Sequence, residues 1–307
     1  MQIPGSTYHA RPTLRSARPV LGAVAALLTT TLLVPAPAGA AGRPRRGCGA
    51  AADRSEHVTR LSGEIGELSG LVASKRHRGI AWMIRDSGAP ASLYAIRLGG
   101  HGEPRVHEVR IEGARNEDWE DISYSIGPDG RGRLWIVEST QSRSDPYIYE
   151  VVEPEPFGPR SVRLHQRYRY SYPKEGMENT EASFMWSGRL VLVTKTSPSR
   201  LYLFGKLESG TVNRPRYIGK LHGANKVSVA RLSPDRRSLV ASNHETVRVF
   251  RGRGAKLSDF TEGGPVRRRT VARGDNIEAG DFFPSGSCDV VMVSERKNVY
   301  RVMAAPR

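Results

Sequence analysis

One apolar run recurs five times along the chain at a spacing near fifty residues. It reads Trp82-Met83-Ile84, Trp135-Ile136-Val137, Val191-Leu192-Val193, Leu239-Val240-Ala241 and Val291-Met292-Val293, with centres 53, 56, 48 and 52 residues apart. A second run follows each of these after 8 to 13 residues, from Leu93-Tyr94-Ala95-Ile96 to Val299-Tyr300-Arg301-Val302. Two short apolar stretches at that distance predict a hairpin. Tight-turn residues precede the pair in the last four units, at Pro128-Asp129-Gly130, Ser187-Gly188, Pro234-Asp235 and Pro284-Ser285-Gly286. More polar strand candidates follow the first four pairs, at 106–111, 162–170, 216–221 and 266–271. Four strands per fifty-residue unit predict an all-β, five-bladed β-propeller with four-stranded antiparallel blades. A β-sandwich would not return the same order of segments five times. A six-bladed ring with one degenerate blade is the remaining alternative.

The fifth unit has no outer strand before Arg307, and residues 57–61 ahead of the first unit are predicted to supply it. A ring closed by an N-terminal strand leaves no open sheet edge. The only cysteines, Cys48 and Cys288, fall in the N-terminal segment and in the last unit. So few exclude a disulfide-scaffold mini-protein, a Cys-rich zinc module and an iron–sulfur protein. Two buried thiols or one bridge remain, and export with this topology favours the bridge.

Export is expected from the first forty residues. Arg11, Arg15 and Arg18 stand without an acidic residue before a fourteen-residue apolar run at 20–33, and Ala38-Gly39-Ala40 follows. That order is a secretory signal peptide cleaved after Ala40. The run spans only about 21 Å as a helix, short of a bilayer core, and no second segment is apolar enough to cross. The organisation expected is a signal peptide at 1–40, a basic leader at 41–56 and one propeller domain at 57–307. The product is a secreted, extracellular monomer. The net charge of +16 falls to +13 once the three arginines leave. Its clusters, at Lys75-Arg76-His77-Arg78, Arg236-Arg237 and Arg267-Arg268-Arg269, are separated along the chain. They suit an anionic extracellular ligand or cell-wall polymer rather than an intracellular nucleic acid, which would want the charge gathered on one face with stacking aromatics.

Inner propeller strands converge on a central channel, so side chains at their ends form a ring. Three of the five open with acids: Asp118, Glu120 and Asp121; Glu181; and Glu278. A second polar set ends the first run of each pair, with Asp86, Lys195, Asn243 and Glu295 as candidate ligand-binding residues and Glu138 in the second unit. Convergent carboxylates are candidate ligands for a hard cation such as Ca²⁺, which takes roughly six to eight oxygens. They could equally share a proton as an acid/base pair or cap neighbouring strands. No His-Glu-x-x-His, Gly-x-Ser-x-Gly or phosphate-loop element occurs.

The stretch 68–74, Trp82 with Asp86-Ser87-Gly88, Asn116-Glu117-Asp118-Trp119-Glu120-Asp121-Ile122, Asn179-Thr180-Glu181-Ala182 and Glu278-Ala279 together resemble a family of exported bacterial WD40-like propellers that borders the esterase-like phytases. The resemblance covers residues 64–303 and implies a propeller without a settled activity. Two departures stand out. Glu138-Ser139-Thr140-Gln141-Ser142 replaces an acidic stretch, and Ala230-Arg231 stands where an inner-strand Asp is expected. Both weaken a many-carboxylate calcium site. The functional expectation is therefore a secreted binding or scaffold protein for an anionic ligand, with no catalysis assigned. The alternative is a metal-assisted phosphoric ester hydrolase in which the five acids hold the metal and Lys195 meets the phosphate.

Overall fold

The computed structural model describes residues 48, 54–61, 65–98, 104–139, 146–173, 178–253, 256–271, 273–283 and 288–303. The expected signal peptide, nearly all of the leader before Arg54 and the turn at 284–286 lie outside them. Twenty-two strands form five sheets. Blade I holds β2 (Leu68–Ala73), β3 (Ile80–Arg85), β4 (Ser92–Arg97) and β5 (Val106–Glu112). Blade II holds β6 (Trp119–Ile126), β7 (Gly132–Glu138), β8 (Tyr147–Val152) and β10 (Gln166–Tyr170). Blade III holds β11 (Thr180–Trp186), β12 (Arg189–Thr194), β13 (Arg200–Leu203) and β15 (Arg216–Lys220), and blade IV β16 (Val229–Leu232), β17 (Ser238–Ser242), β18 (Thr246–Arg251) and β19 (Arg267–Thr270). Blade V takes β20 (Ile277–Phe282), β21 (Val290–Ser294) and β22 (Asn298–Met303) from one end of the chain and β1 (Arg54–Arg60) from the other. There are five blades, and the N-terminal strand closes the ring.

The apolar runs do not alternate because both faces of each blade are covered by neighbours. Among the described residues the core is five wedges, one at each blade interface. Between blades I and II, for example, Trp82 and Leu93 pack with Trp119, Ile122 and Leu134. The innermost strands β2, β6, β11, β16 and β20 touch in cyclic order around the channel. At Gly70 the approach is so close that a Cβ would sit 2.8 Å from the Ile122 nitrogen and 2.9 Å from the Asp121 Cα.

Two details depart from the sequence expectation. The segment 162–170 is not one outer strand. Its first part, β9 (Ser161–Arg163), pairs parallel with β5 of blade I, and only β10 joins blade II. In the same way β14 (Val212–Asn213) of the blade III loop pairs parallel with β10 of blade II. Blades I and II therefore have five strands, because the loop before each next outer strand borrows the open edge behind it. A 3-10 turn in the corresponding blade IV loop, Leu257–Phe260, packs Phe260 against Trp186 of blade III. The closing strand also begins at Arg54, three residues before 57.

Cys48 and Cys288 form a disulfide, 240 residues apart in sequence, with Cα atoms 5.1 Å apart. The Cys48 N–H donates to Asp235 Oδ2 at 3.0 Å, so the clasp also touches the β16–β17 turn of blade IV.

Candidate functional site

In four blades the innermost strand slips register against its partner by one residue near its start. The extra residue is Ser69 in β2, Glu120 in β6, Glu181 in β11 and Glu278 in β20. Such a bulge re-aims a side chain out of the pleat. All four line one cavity of 380 Å³ at the channel mouth, together with Glu67, Asp86, Lys195, His244 and Glu295. Blade IV keeps perfect register from Val229–Ser242 to Leu232–Leu239 and contributes no inner-strand acid there. It supplies His244 from beyond β17 instead.

Backbone pairing fixes the second polar set beside the first. The N–H groups of Asp86, Lys195 and Glu295 donate to the carbonyls of Glu67, Asn179 and Asn276. Asn116 ties blades I and II together by donating from Nδ2 to the carbonyls of Arg85 (2.9 Å) and Asp86 (2.8 Å) while its Oδ1 accepts the Trp119 N–H. As a result Asp86, Asp118 and Glu120 each present a carboxylate oxygen within 4.8 Å of the others. Burial, and then the charges of Glu181, Asp86 and Asp118, push the Glu120 carboxyl up to about 10.

Across the mouth, Lys195 Nζ donates to Glu181 Oε2 at 2.9 Å, and Asn179 Nδ2 donates to the other oxygen at 2.7 Å. Burial works against the Lys195 charge, but Glu181 outweighs it and holds the ammonium above its ordinary value. Glu278 lies 3.3 Å from His244 Nδ1. Burial lifts its carboxyl to about 7, with Lys195 opposing and Glu181, Glu295 and Asp86 adding to the rise.

The remaining candidates separate from this group. Asp121 follows its bulge and turns into the channel, where it is fully engaged: Arg231 Nη1 and Nη2 donate to its two oxygens at 2.8 and 2.6 Å, and Ser183 donates at 2.9 Å. Asn243 Oδ1 accepts the Thr246 N–H at 3.0 Å and closes the β17–β18 turn, outside the residues lining the cavity. Glu295 lines the mouth, with Asn276 donating to it at 3.0 Å. Glu138 is buried, with Oε2 accepting the Tyr147 N–H.

Sequence reasoning grouped Asp86 with ligand contacts rather than with Asp118 and Glu120, because it lies on a different strand and blade. It also missed Asp281, whose Oδ2 accepts the Ala73 N–H at 2.8 Å and whose Oδ1 sits 4.0 Å from Arg231 Nε. A second acid in the short inner strand β20, three residues beyond Glu278, was the available signal. No protein-family model and no curated protein matches this chain, so the propeller rests on the structure itself.

Proposed function

We propose that the bulged mouth holds a divalent cation and hydrolyses a phosphoric ester outside the cell. The observation that carries this is the approach of three carboxylates from two blades, Asp86, Asp118 and Glu120, to within 4.8 Å. Like charges so close, one of them buried, favour either a retained proton or a cation. A cation bound there supplies neutralising charge to a phosphoryl oxygen. Lys195, held protonated by Glu181, presents an ammonium on the same cavity wall for a second phosphoryl oxygen. Glu278, near 7 and beside His244, is placed to accept a proton from an attacking water at neutral pH. Glu181 anchors Lys195, and Ser69 helps set the depth of Glu120 by donating to its carbonyl at 2.7 Å.

A bare anion is disfavoured at this mouth, since acids outnumber the single lysine that lines it. The scaffold role for an anionic ligand therefore loses ground here to the hydrolase. Export is part of the proposal: it rests on the signal-like first forty residues, and the Cys48–Cys288 bridge suits an oxidising compartment. The kinship with exported WD40-like propellers bordering the phytases belongs to the same proposal.

The test has two stages. Added Ca²⁺ at about ten to a hundred times a submillimolar to millimolar Kd should stabilise the mature chain by about 1–3 kcal/mol. Phosphomonoester turnover should then require the cation and fall at least about a hundredfold in Glu120→Gln and Glu278→Gln. An unchanged melting temperature in Ca²⁺ and in Mg²⁺ overturns the metal, and full turnover in both variants overturns the site.

A further inference from the structure

The channel has a second end. Arg231 and Asp121 close its middle: the guanidinium donates to the carbonyls of Leu71, Ile122, Ser183 and Ala230 at 2.7–3.1 Å, joining four inner strands, and faces Asp281 on the fifth. Beyond this plug, at the inner hairpins, a separate cavity of 330 Å³ opens. Its walls include Tyr124 and Phe184, its floor Arg231 and Asp281, and its rim Lys75 and Arg236.

This end differs in charge from the first. The β2–β3 hairpin carries Lys75, Arg76 and Arg78, and the β16–β17 hairpin carries Arg236 and Arg237. Arg236 is held in place by two contacts: its guanidinium stacks over Trp186 at 4.7 Å and Nη2 donates to Ser187 Oγ at 2.5 Å. Neither contact neutralises it, and among the described residues no carboxylate forms an ion pair with Arg236 or Lys75. On the floor, Arg231 Nε is buried without a hydrogen-bond partner, 4.0 Å from Asp281 Oδ1. With Asp121, which pairs with Arg231 behind the lining, two aspartates stand against two arginines and a lysine and leave a single net positive charge. An apolar-walled pocket with a few placed polar groups is the usual build of a small-molecule site.

We propose that this hairpin-end cavity is a ligand pocket for an aromatic monocarboxylate, its carboxylate on Arg236 and Lys75 and its ring against Tyr124 and Phe184. The guanidinium fork matches a carboxylate edge to edge. The single net charge favours a monoanion over a phosphate dianion. A hydroxyl at the far end of the ring would give Arg231 Nε the acceptor it lacks. The proposal is independent of a cation at the opposite mouth.

The test is calorimetric titration of the mature chain in EDTA, which keeps divalent ions out of the acidic mouth. Probes are benzoate, 4-hydroxybenzoate, benzylamine and inorganic phosphate. The expected result is saturable benzoate binding with a Kd of about 1 mM or tighter. 4-Hydroxybenzoate should bind more tightly still, and benzylamine not at all. Arg236→Gln and Lys75→Gln, both surface changes outside the core, should each weaken benzoate about tenfold. No saturable benzoate binding at about 10 mM, equal binding of benzylamine or of inorganic phosphate, or unchanged affinity in both variants would each overturn it.

Discussion

Arg231 decides what kind of channel this propeller has. An arginine in the inner strand of blade IV fills the axis and satisfies backbone carbonyls that would otherwise face each other across an empty bore. Burial disfavours its charge, but Asp121 and Asp281 outweigh that and hold it above the ordinary arginine value. Removing one member of such a pair leaves a buried charge without its partner, at a cost of about 3–5 kcal/mol. Arg231→Leu should therefore lose about that much in urea unfolding. Adding Asp121→Asn should recover a substantial part, because the uncompensated carboxylate is then gone. Strictly additive losses in the double variant would show that the ion pair is not what fixes the plug.

At the scale of elements, a one-residue slip repeated in four inner strands makes the acidic mouth. Without the slip, a glutamate at the start of β6, β11 or β20 would lie in the pleat, facing the neighbouring blade. The slip crowds carboxylates, and the consequence is a particular pH dependence. The folded pKa of Glu278 is near 7 and that of Glu120 near 10, both above the ordinary carboxyl value. The folded chain keeps protons that the unfolded chain has released, so stability from these groups is present at low pH and is lost as pH rises from about 4.5 through the folded values. Asp235 and Asp275 shift the other way, held below their ordinary values against burial by hydrogen bonds, and so are ionised in both states above pH 5. In a chelator, the melting temperature should then fall between about pH 5 and 8. A divalent cation should raise it more at pH 8 than at pH 5, since it replaces the protons. A larger cation effect at the acid end would contradict the assignment of these carboxylates.

At the scale of the whole molecule, closure depends on two links from the N-terminal segment. Strand β1 pairs along β22 from Arg54–Met303 to Arg60–Asn298, and Cys48 is bonded to Cys288. A bridge closing a loop of 240 residues removes chain entropy from the unfolded state worth on the order of 5 kcal/mol. Dithiothreitol, or Cys288→Ser, should lower the urea midpoint by a corresponding amount without changing strand content by circular dichroism. An unchanged midpoint would mean that β1 alone fastens the ring. The molecule is also polar end to end, with an acidic mouth at one opening and a basic rim at the other. Lys75, Arg76, Arg78, Arg236 and Arg237 thus lie at the opening away from the proposed metal site.

The blades were legible because each one must bury both faces, which forces unbroken apolar runs, and because tight turns demand Gly, Pro and Asp at fixed intervals. Two cysteines at the two ends of a closing ring favoured the bridge over free thiols, and Arg231 showed where an inner-strand Asp was expected from the resemblance. The parallel strands β9 and β14 were not legible, since borrowing a neighbour's edge needs that edge to be in place first. Nor was the trio Asp86, Asp118 and Glu120: the residues are close only because Asn116 binds the end of β3 to the start of β6 across a blade boundary. The sequence by itself determined the repeat and the acids available to the mouth, since each depends on local pattern and burial, while the count of five blades was settled by the sheets. Only the tertiary structure decided which acids meet, which one Arg231 takes, and that the channel is two pockets rather than one bore. Those outcomes depend on register and on contacts between strands far apart in the chain, and one residue of slip changes them.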